Sequence, residues 1–81
     1  MNPKESFVGK FKVTIRPEQD YITLQALLQI TDFISTGGMA KAFLSMNDVL
    51  VNGELEDRRG RKLYPGDQIE ILNKVFVIEK P

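Results

Sequence analysis

The chain has 81 residues, of which 42% are hydrophobic and 27% are charged, and its 11 basic residues equal its 11 acidic ones. This length predicts a single domain over 1–81, and the balanced charge argues against a polycation of the histone kind. Because cysteine and histidine are both absent, disulfides, zinc fingers, thiol nucleophiles and imidazole acid–base catalysis are excluded. Carboxylate-only metal sites and lysine-based catalysis stay open, but nothing in the sequence points to them, so we expect no enzyme, no metal and no cofactor.

A strand is the first predicted element, over residues 7–15. Apolar residues alternate with polar ones from Phe11 to Ile15, which is the period-two pattern of a half-buried strand. Pro17 is expected to end the strand, because proline has no N–H group to donate to a sheet.

The first of two short helices is predicted to begin after Thr23, whose hydroxyl is placed to cap its first turn. Its apolar residues recur at the three- and four-residue spacing of an amphipathic helix. The segment Ser35-Thr36-Gly37-Gly38 is expected to break this helix. The inner face is predicted to consist of Leu24, Leu27, Leu28 and Ile34.

The second helix is predicted from about Gly38 to Met46, with Ser35 or Thr36 as its cap. Asn47 is expected to end it, because asparagine tolerates the left-handed conformation found just past helix ends. Two helices joined by so few residues are expected to pack against each other. The inner face of the second helix is predicted to consist of Met39, Ala40, Phe43 and Leu44.

A hairpin is predicted directly after the second helix. Asn52-Gly53, the strongest short hairpin signal, separates the strand Val49–Val51 from its return over Glu54–Glu56. A polar, basic loop then occupies residues 57–62.

The last part of the chain is predicted to form two more strands. Pro65-Gly66 fits the central pair of a type II turn. Strands are then predicted over Gln68–Ile71 and Val75–Ile78, joined at Asn73-Lys74, with the last strand buried on both faces. One strand, two packed short helices and a small antiparallel sheet together predict an α+β fold.

The basic loop is the first candidate for chemistry, because it holds four cations within five positions, Arg58, Arg59, Arg61 and Lys62. Arginine gives bidentate hydrogen bonds to phosphate, lysine adds a point charge, and Gly60 lets the backbone come close to a polyanion. The alternative is a solvated loop whose charge is balanced by the acidic residues before it, Glu54, Glu56 and Asp57.

A second candidate anion site is Thr36-Gly37-Gly38, at the start of the second helix. Helix N-termini attract anions, and Lys41 lies about one turn further along the same helix. The alternative is a flexible connection between the helices. Tyr21 and Tyr64 are expected to be partly exposed, where each could stack on a base or simply pack.

Residues 23–71 resemble the RNA-binding domain first known from ribosomal small-subunit protein S-four, also called the alpha-L motif. The resemblance lies in the residue types and spacing of three segments: Ser35-Thr36 with Ala40-Lys41 and Phe43-Leu44, the hairpin Val49-Leu50-Val51-Asn52-Gly53, and Leu63-Tyr64-Pro65-Gly66-Asp67-Gln68-Ile69. The segments Thr36–Lys41 and Asp57–Lys62 are similar to those of the short stand-alone YaaA type. The RNA-binding core is predicted over about 21–72.

This resemblance implies binding to structured RNA, with ribosomal RNA or a ribosomal particle as the partner, in ribosome maturation or on the ribosome. The chain departs from the family at Thr23-Leu24-Gln25, where many members have Arg-Leu-Asp, and at Gly37, which replaces an arginine. The RNA-binding residues implied are Thr36, Gly37, Gly38, Lys41, Arg58, Arg59, Arg61 and Lys62.

Two other classes of function stay open. One is a protein-binding adaptor whose basic loop docks on an acidic partner, and the other is a subunit that binds substrate for a separate catalytic chain. No apolar run of membrane-spanning length and no signal pattern are present, so we expect a cytoplasmic protein with no membrane partner and no small-molecule substrate.

Overall fold

The computed structural model describes residues 9–81, so Phe7 and Val8 of the predicted first strand lie outside the described residues. The strands are β1 (Gly9–Thr14), β2 (Ile22–Thr23), β3 (Val49–Val51), β4 (Glu54–Leu55), β5 (Lys62–Leu63), β6 (Gln68–Ile71) and β7 (Lys74–Glu79). The helices are α1 (Leu24–Ile30) and α2 (Ala40–Met46), and a 3₁₀ turn over Gly37–Met39 precedes α2. No helix among these residues is long and apolar enough to cross a membrane.

The main sheet has five strands in the order β1-β7-β6-β3-β4. Its last four strands pair antiparallel, as predicted, and the α+β class is confirmed. The sheet as a whole is mixed, because β1 pairs in parallel with β7, from Gly9 opposite Lys74 to Thr14 opposite Glu79. Alternating hydropathy predicts a strand but carries no information about its partner, and so this parallel pair was not foreseen.

A second, two-stranded sheet joins β2 to β5. Ile22 lies opposite Leu63, and Thr23 lies opposite Lys62. This short antiparallel pair matters for the site, because it fixes the end of the basic loop beside the start of α1.

The core lies between one face of the main sheet and the two helices. Phe76 and Ile78 of β7 are buried, whereas Val75 and Val77 are only half-buried. The prediction that this strand is buried on both faces is therefore wrong, because the opposite face of the sheet is left partly open to solvent. The core side chains are Val13, Ile15, Ile22, Leu24, Leu27, Leu28, Ile34, Ala40, Leu44, Val49, Val51, Leu63, Ile69, Ile71, Phe76 and Ile78.

The N-terminal end of α1 forms as predicted. The Thr23 hydroxyl accepts a hydrogen bond from the backbone N–H of Ala26, with an N···O distance of 3.2 Å. The leucines of its predicted inner face, Leu24, Leu27 and Leu28, are fully buried. An N-cap of this kind satisfies a backbone donor that the helix itself leaves without a partner.

The C-terminal end of α1 comes earlier than the sequence pattern predicted. Asp32 has a left-handed backbone with φ 64°, and its N–H donates to the carbonyl of Gln29 at 3.1 Å. The N–H of Phe33 donates to the carbonyl of Leu28 at 3.0 Å, which completes a Schellman end. Ile34 is therefore buried as part of the connection between the helices and not as part of α1.

The start of α2 differs from the prediction in its inner face. Thr36 precedes the 3₁₀ turn but makes no side-chain capping bond, and the Ser35 hydroxyl contacts the Met39 sulfur at 3.2 Å instead of capping the helix. Ala40 and Leu44 are buried, but Met39 is 45% exposed. The placement of Met39 in the inner face is wrong because it belongs to the 3₁₀ turn and not to the regular helix.

Asn47 ends α2 by a different mechanism from the predicted one. Its backbone is extended, with φ −134°, and is not left-handed. Its side-chain Nδ2 donates to the carbonyl of Phe43 at 3.0 Å, which satisfies an acceptor in the last turn. The Phe43 ring lies 5.6 Å from the ring of Phe33, so the connection packs against the second helix.

The two predicted turns on either side of the basic loop form and bond to each other. Asn52 and Gly53 both have positive φ, as a type I′ hairpin turn requires, and Gly66 has φ 96° in the Pro-Gly turn. The Asn52 amide donates to Asp67 at 3.0 Å and accepts from the Gln68 N–H at 3.0 Å. These bonds tie the β3–β4 hairpin to the start of β6.

The β6–β7 hairpin turns one residue earlier than predicted. Its two central residues are Leu72 and Asn73, with φ 47° and 68°, and Lys74 already belongs to β7. A leucine in a left-handed conformation is strained, whereas asparagine tolerates it, which is why the sequence pointed to Asn73-Lys74 and not to Leu72.

Candidate nucleic-acid interface

The backbone of the basic loop is bound to the first turn of α1. The N–H of Leu24 donates to the carbonyl of Arg61, and the N–H of Gln25 donates to the carbonyl of Arg59, both at 2.9 Å. The first N–H groups of a helix have no partner within the helix. The loop supplies those partners, so its cations stand on a backbone that is fixed at two points.

The buried carboxylate of Glu56 binds two side chains of the loop. Its carboxylate is only 6% exposed and accepts from Arg58 Nε at 2.9 Å and from Arg61 Nη1 at 2.8 Å. Arg58 also donates to it through Nη2 and through its own backbone N–H, both at 3.0 Å. The backbone N–H of Glu56 is in turn bound to the carbonyl of Val49 at 2.8 Å, which connects this cluster to the main sheet.

These bonds change the protonation behaviour of Glu56. The hydrogen bonds from Arg58, followed by the one from Arg61, lower the pKa of Glu56 from 4.5 to about 2, against the opposing effect of burial. The same contact raises the pKa of Arg58. Glu56 and Arg58 are therefore both ionised at neutral pH.

The four cations of the loop fall into two pairs. Arg58 and Arg61 share the Glu56 carboxylate, although the Arg58 side chain stays 72% exposed. Arg59 and Lys62 are also exposed, and no carboxylate of residues 9–81 lies within 4.0 Å of either. The balancing of the loop by acidic residues thus holds for Arg58 and Arg61, whereas Arg59 and Lys62 form no ion pair within residues 9–81.

An aromatic pair lies beside the loop. The rings of Tyr21 and Tyr64 are 5.6 Å apart, and the Lys62 ammonium lies 5.0 Å from the centre of the Tyr21 ring. Both tyrosines are partly exposed, as expected, at 37% and 46% respectively. A cleft of about 420 Å³ opens next to them, and it is lined by Arg58, Gly60, Arg61, Lys62 and Tyr64.

The Thr36–Gly38 turn contacts α1 through Gly37, which is half-buried, whereas Thr36 and Gly38 are exposed. A Cβ atom on Gly37 would collide with the side-chain amide of Gln25, whereas Gly38 has room for one. The glycine at position 37 is therefore accounted for by close packing. Gln25 connects the two candidate segments, because its backbone holds Arg59 and its side chain covers Gly37.

Lys41 faces a different part of the surface from the cations of the loop. It lines a groove of about 500 Å³ together with three acidic residues, Asp48, Glu56 and Asp57. Lys41 is exposed and has no carboxylate within 4.0 Å among the described residues. The structure thus gathers Arg58, Arg61 and Lys62 in one cleft, with Arg59 in the same loop, but places Lys41 beside the acidic start of that loop.

The sequence did not indicate the organising roles of Glu56 and Gln25. The only signal for Glu56 in the sequence was that it is one of three acidic residues just before the cations. Hydropathy predicts a buried Leu55 beside an exposed Glu56, whereas Leu55 is 69% exposed and Glu56 is buried. Among residues 9–81, no three metal-ligating side chains lie together.

Comparison with known proteins identifies a family that this chain matches. The family model of the S4 domain matches residues 13–79. A relative from Bacillus subtilis (strain 168), named "Probable ribosome maturation protein RlbA", is 56% identical over 54 residues, which are 67% of this chain and 76% of that protein. No solved structure matches the chain significantly.

Proposed function

The chain belongs to the S4 domain family, and from this membership and the geometry of the basic loop we propose that it is an RNA-binding module. The proposed partner is structured ribosomal RNA, either in a maturing particle or on the ribosome, and the proposed place of action is the cytoplasm. The name of its relative, a probable ribosome maturation protein, supports this choice of partner. In this role the chain binds and does not catalyse.

The observation that carries the proposal is the fixed, partly unneutralised loop. Glu56 and the first turn of α1 hold the loop in one conformation, so little conformational entropy is lost when a polyanion binds. Arg59 and Lys62 supply charge that no carboxylate of the described residues offsets. Phosphate contacts of this kind position an RNA by its shape and not by its base sequence.

The proposed RNA-contacting residues divide by strength of support. The loop cations have a fixed backbone in their favour, and three of them, Arg58, Arg59 and Lys62, are exposed, whereas Arg61 is half-buried. Lys41 stays in the proposed site as a peripheral contact, since the acids of its groove reduce its attraction for phosphate. Thr36, Gly37 and Gly38 stay in the proposed site as a source of backbone contacts. Gly37 packs on the Gln25 side chain, and the backbone of Gln25 is bonded to Arg59 of the loop.

The structure guides the choice of variant for the test. Replacing Arg58 and Arg61 would leave Glu56 buried and unpaired, so a loss of binding could reflect a loss of folding. Arg59→Ala/Lys62→Ala removes the two cations that Glu56 does not hold. The matched control is Lys10→Ala/Lys12→Ala, which removes two exposed lysines from β1, at the other edge of the main sheet from β4.

The measurement is the dissociation constant for a ribosomal RNA fragment across a salt series. We expect Arg59→Ala/Lys62→Ala to weaken binding by about ten-fold or more at roughly 0.1 M salt, with a log–log slope shallower by about 1.4–1.8. The control should retain the wild-type slope within about 0.5. Equal losses in both variants would show diffuse attraction without a site.

A protein-binding adaptor is the competing function. It predicts an acidic partner whose association with the chain persists after nuclease treatment and is lost in Arg59→Ala/Lys62→Ala. Absence of RNA binding by the wild type in the salt series would favour this function over ours.

A further inference from the structure

We propose that the cleft between the basic loop and Tyr64 binds a single unstacked nucleotide of the RNA, with the base against the Tyr64 ring. This inference rests on the proposed function and deepens it, because it specifies the kind of RNA. A continuous duplex offers no unstacked base, so the target would carry a bulge, a loop or a single-stranded end at this position.

The lining of the cleft has the two chemistries that a nucleotide needs. Lys62, which no carboxylate of residues 9–81 approaches within 4.0 Å, supplies positive charge for a phosphate, and the 72% exposed side chain of Arg58 adds N–H donors although it also binds Glu56. Tyr64 supplies an aromatic wall for a base. The volume of about 420 Å³ is large enough to hold a nucleotide. Stacking on an aromatic ring tolerates any base, which suits recognition by shape.

The aromatic wall is held in place before any ligand arrives. The N–H of Tyr64 donates to the Asp67 carboxylate at 2.8 Å, and its carbonyl accepts from the Asp67 N–H at 2.9 Å. The preceding residue, Leu63, is fully buried and paired with β2. Tyr21 packs on the Tyr64 ring. A preorganised ring loses little freedom when a base stacks on it.

Gly60 leaves room for a ligand in the wall of the cleft. A Cβ atom at this position would have no neighbour within 4 Å among the described residues, and its φ is not in the left-handed region. Neither packing nor backbone conformation therefore requires glycine here, in contrast to Gly37, Gly53 and Gly66. The missing side chain leaves the cleft open between the cations and Tyr64.

The test compares two RNA hairpins that differ by one bulged nucleotide, a 2-aminopurine, in the otherwise paired stem. Tyr64→Leu removes the aromatic face but keeps an apolar side chain, and Tyr64→Phe keeps the ring. We expect Tyr64→Leu to weaken binding of the bulged hairpin by about 5- to 100-fold and binding of the paired hairpin by less than about two-fold. Tyr64→Phe should bind both hairpins within about two-fold of the wild type.

The fluorescence of the bulged base reports stacking directly. We expect the wild type and Tyr64→Phe to quench the 2-aminopurine and Tyr64→Leu to leave it bright. Gly60→Ala, which the backbone accepts, should keep the wild-type melting temperature and weaken only the bulged hairpin.

The possible outcomes separate this inference from the proposed function. If the wild type binds both hairpins equally and Tyr64→Leu changes neither, the nucleotide cleft is wrong while RNA binding stands. If Tyr64→Leu weakens both hairpins alike without changing the quenching, Tyr64 has a structural role only and the inference is also overturned. If the wild type binds neither hairpin nor ribosomal RNA, the proposed function fails as well.

Discussion

The basic loop and the Thr36–Gly38 turn both contact the first turn of α1, and they are held there by different forces. The loop is held by two backbone hydrogen bonds and by the carboxylate of Glu56. The turn is held by close packing of Gly37 on the Gln25 side chain, in a position where a larger residue would have to push the Gln25 amide aside. Two arginines of the loop are thus held in place by one buried carboxylate, whereas Gly37 marks a close contact between two helical segments.

The largest effect should come from removing the partners of Glu56. Arg58→Ala/Arg61→Ala leaves a carboxylate that is 6% exposed without its cations, and we expect a loss of about 3 kcal/mol in the free energy of unfolding. Urea denaturation at pH 7 measures it. The Arg59→Ala/Lys62→Ala variant removes the same charge and should cost less than about 0.5 kcal/mol. Equal costs would mean that Glu56 does not organise the loop.

The second effect is a loss of stability in acid. The pKa of Glu56 falls from 4.5 to about 2 on folding, so the folded state favours the ionised form. Its contribution is fully present above about pH 4.5 and is lost as the pH falls toward 2. We expect about 2 kcal/mol from this group, because solvent around the exposed Arg58 screens part of the interaction.

Glu56→Gln is the control for the acid effect, since it removes the titrating group. Its stability should be lower than that of the wild type at pH 7, and the difference should shrink as the pH falls through this window. Parallel curves for the two proteins in urea titrations between pH 5 and pH 2 would contradict the assignment.

The smallest effect concerns the turn. Gly37→Ala should cost less than about 1 kcal/mol, because the atom in the way is the far end of the flexible Gln25 side chain. In a Gln25→Ala background this cost should nearly disappear, and a double-mutant cycle of unfolding free energies measures the difference. An unchanged cost in that background would mean that the backbone, not the contact with Gln25, requires the glycine.

Much of the fold could be predicted from local signals. Thr23 at the start of α1, the Asn52-Gly53 turn and the alternation in β6 each depend on residues close together in the chain, and all three are confirmed. The end of α1 could not be predicted in the same way. Ile34 continues the helical spacing, but Asp32 adopts a left-handed conformation that a Schellman end stabilises without the usual glycine.

The candidate site was predicted less completely than the fold. The sequence indicated the four cations of the loop, because charge density is visible in one dimension. It did not indicate that Glu56 is buried beneath them or that Gln25 contacts both candidate segments, because both facts depend on contacts between elements. The pairing of Lys62 with Thr23, which brings Tyr64 next to Tyr21, is of the same kind.

The parallel pair of β1 with β7 has a consequence for the order of folding. The two helices form from residues that are close in sequence, and so do the β3–β4 and β6–β7 hairpins. In contrast, β1 can pair only once β7 is present, because Gly9 lies opposite Lys74. Because contacts between distant parts of a chain form slowly, we expect β1 to join the sheet last, during synthesis as well as in refolding. Until then β7 is an unpaired edge that can recruit another chain, and afterwards the exposed Lys10 and Lys12 occupy that edge with charges that discourage such pairing.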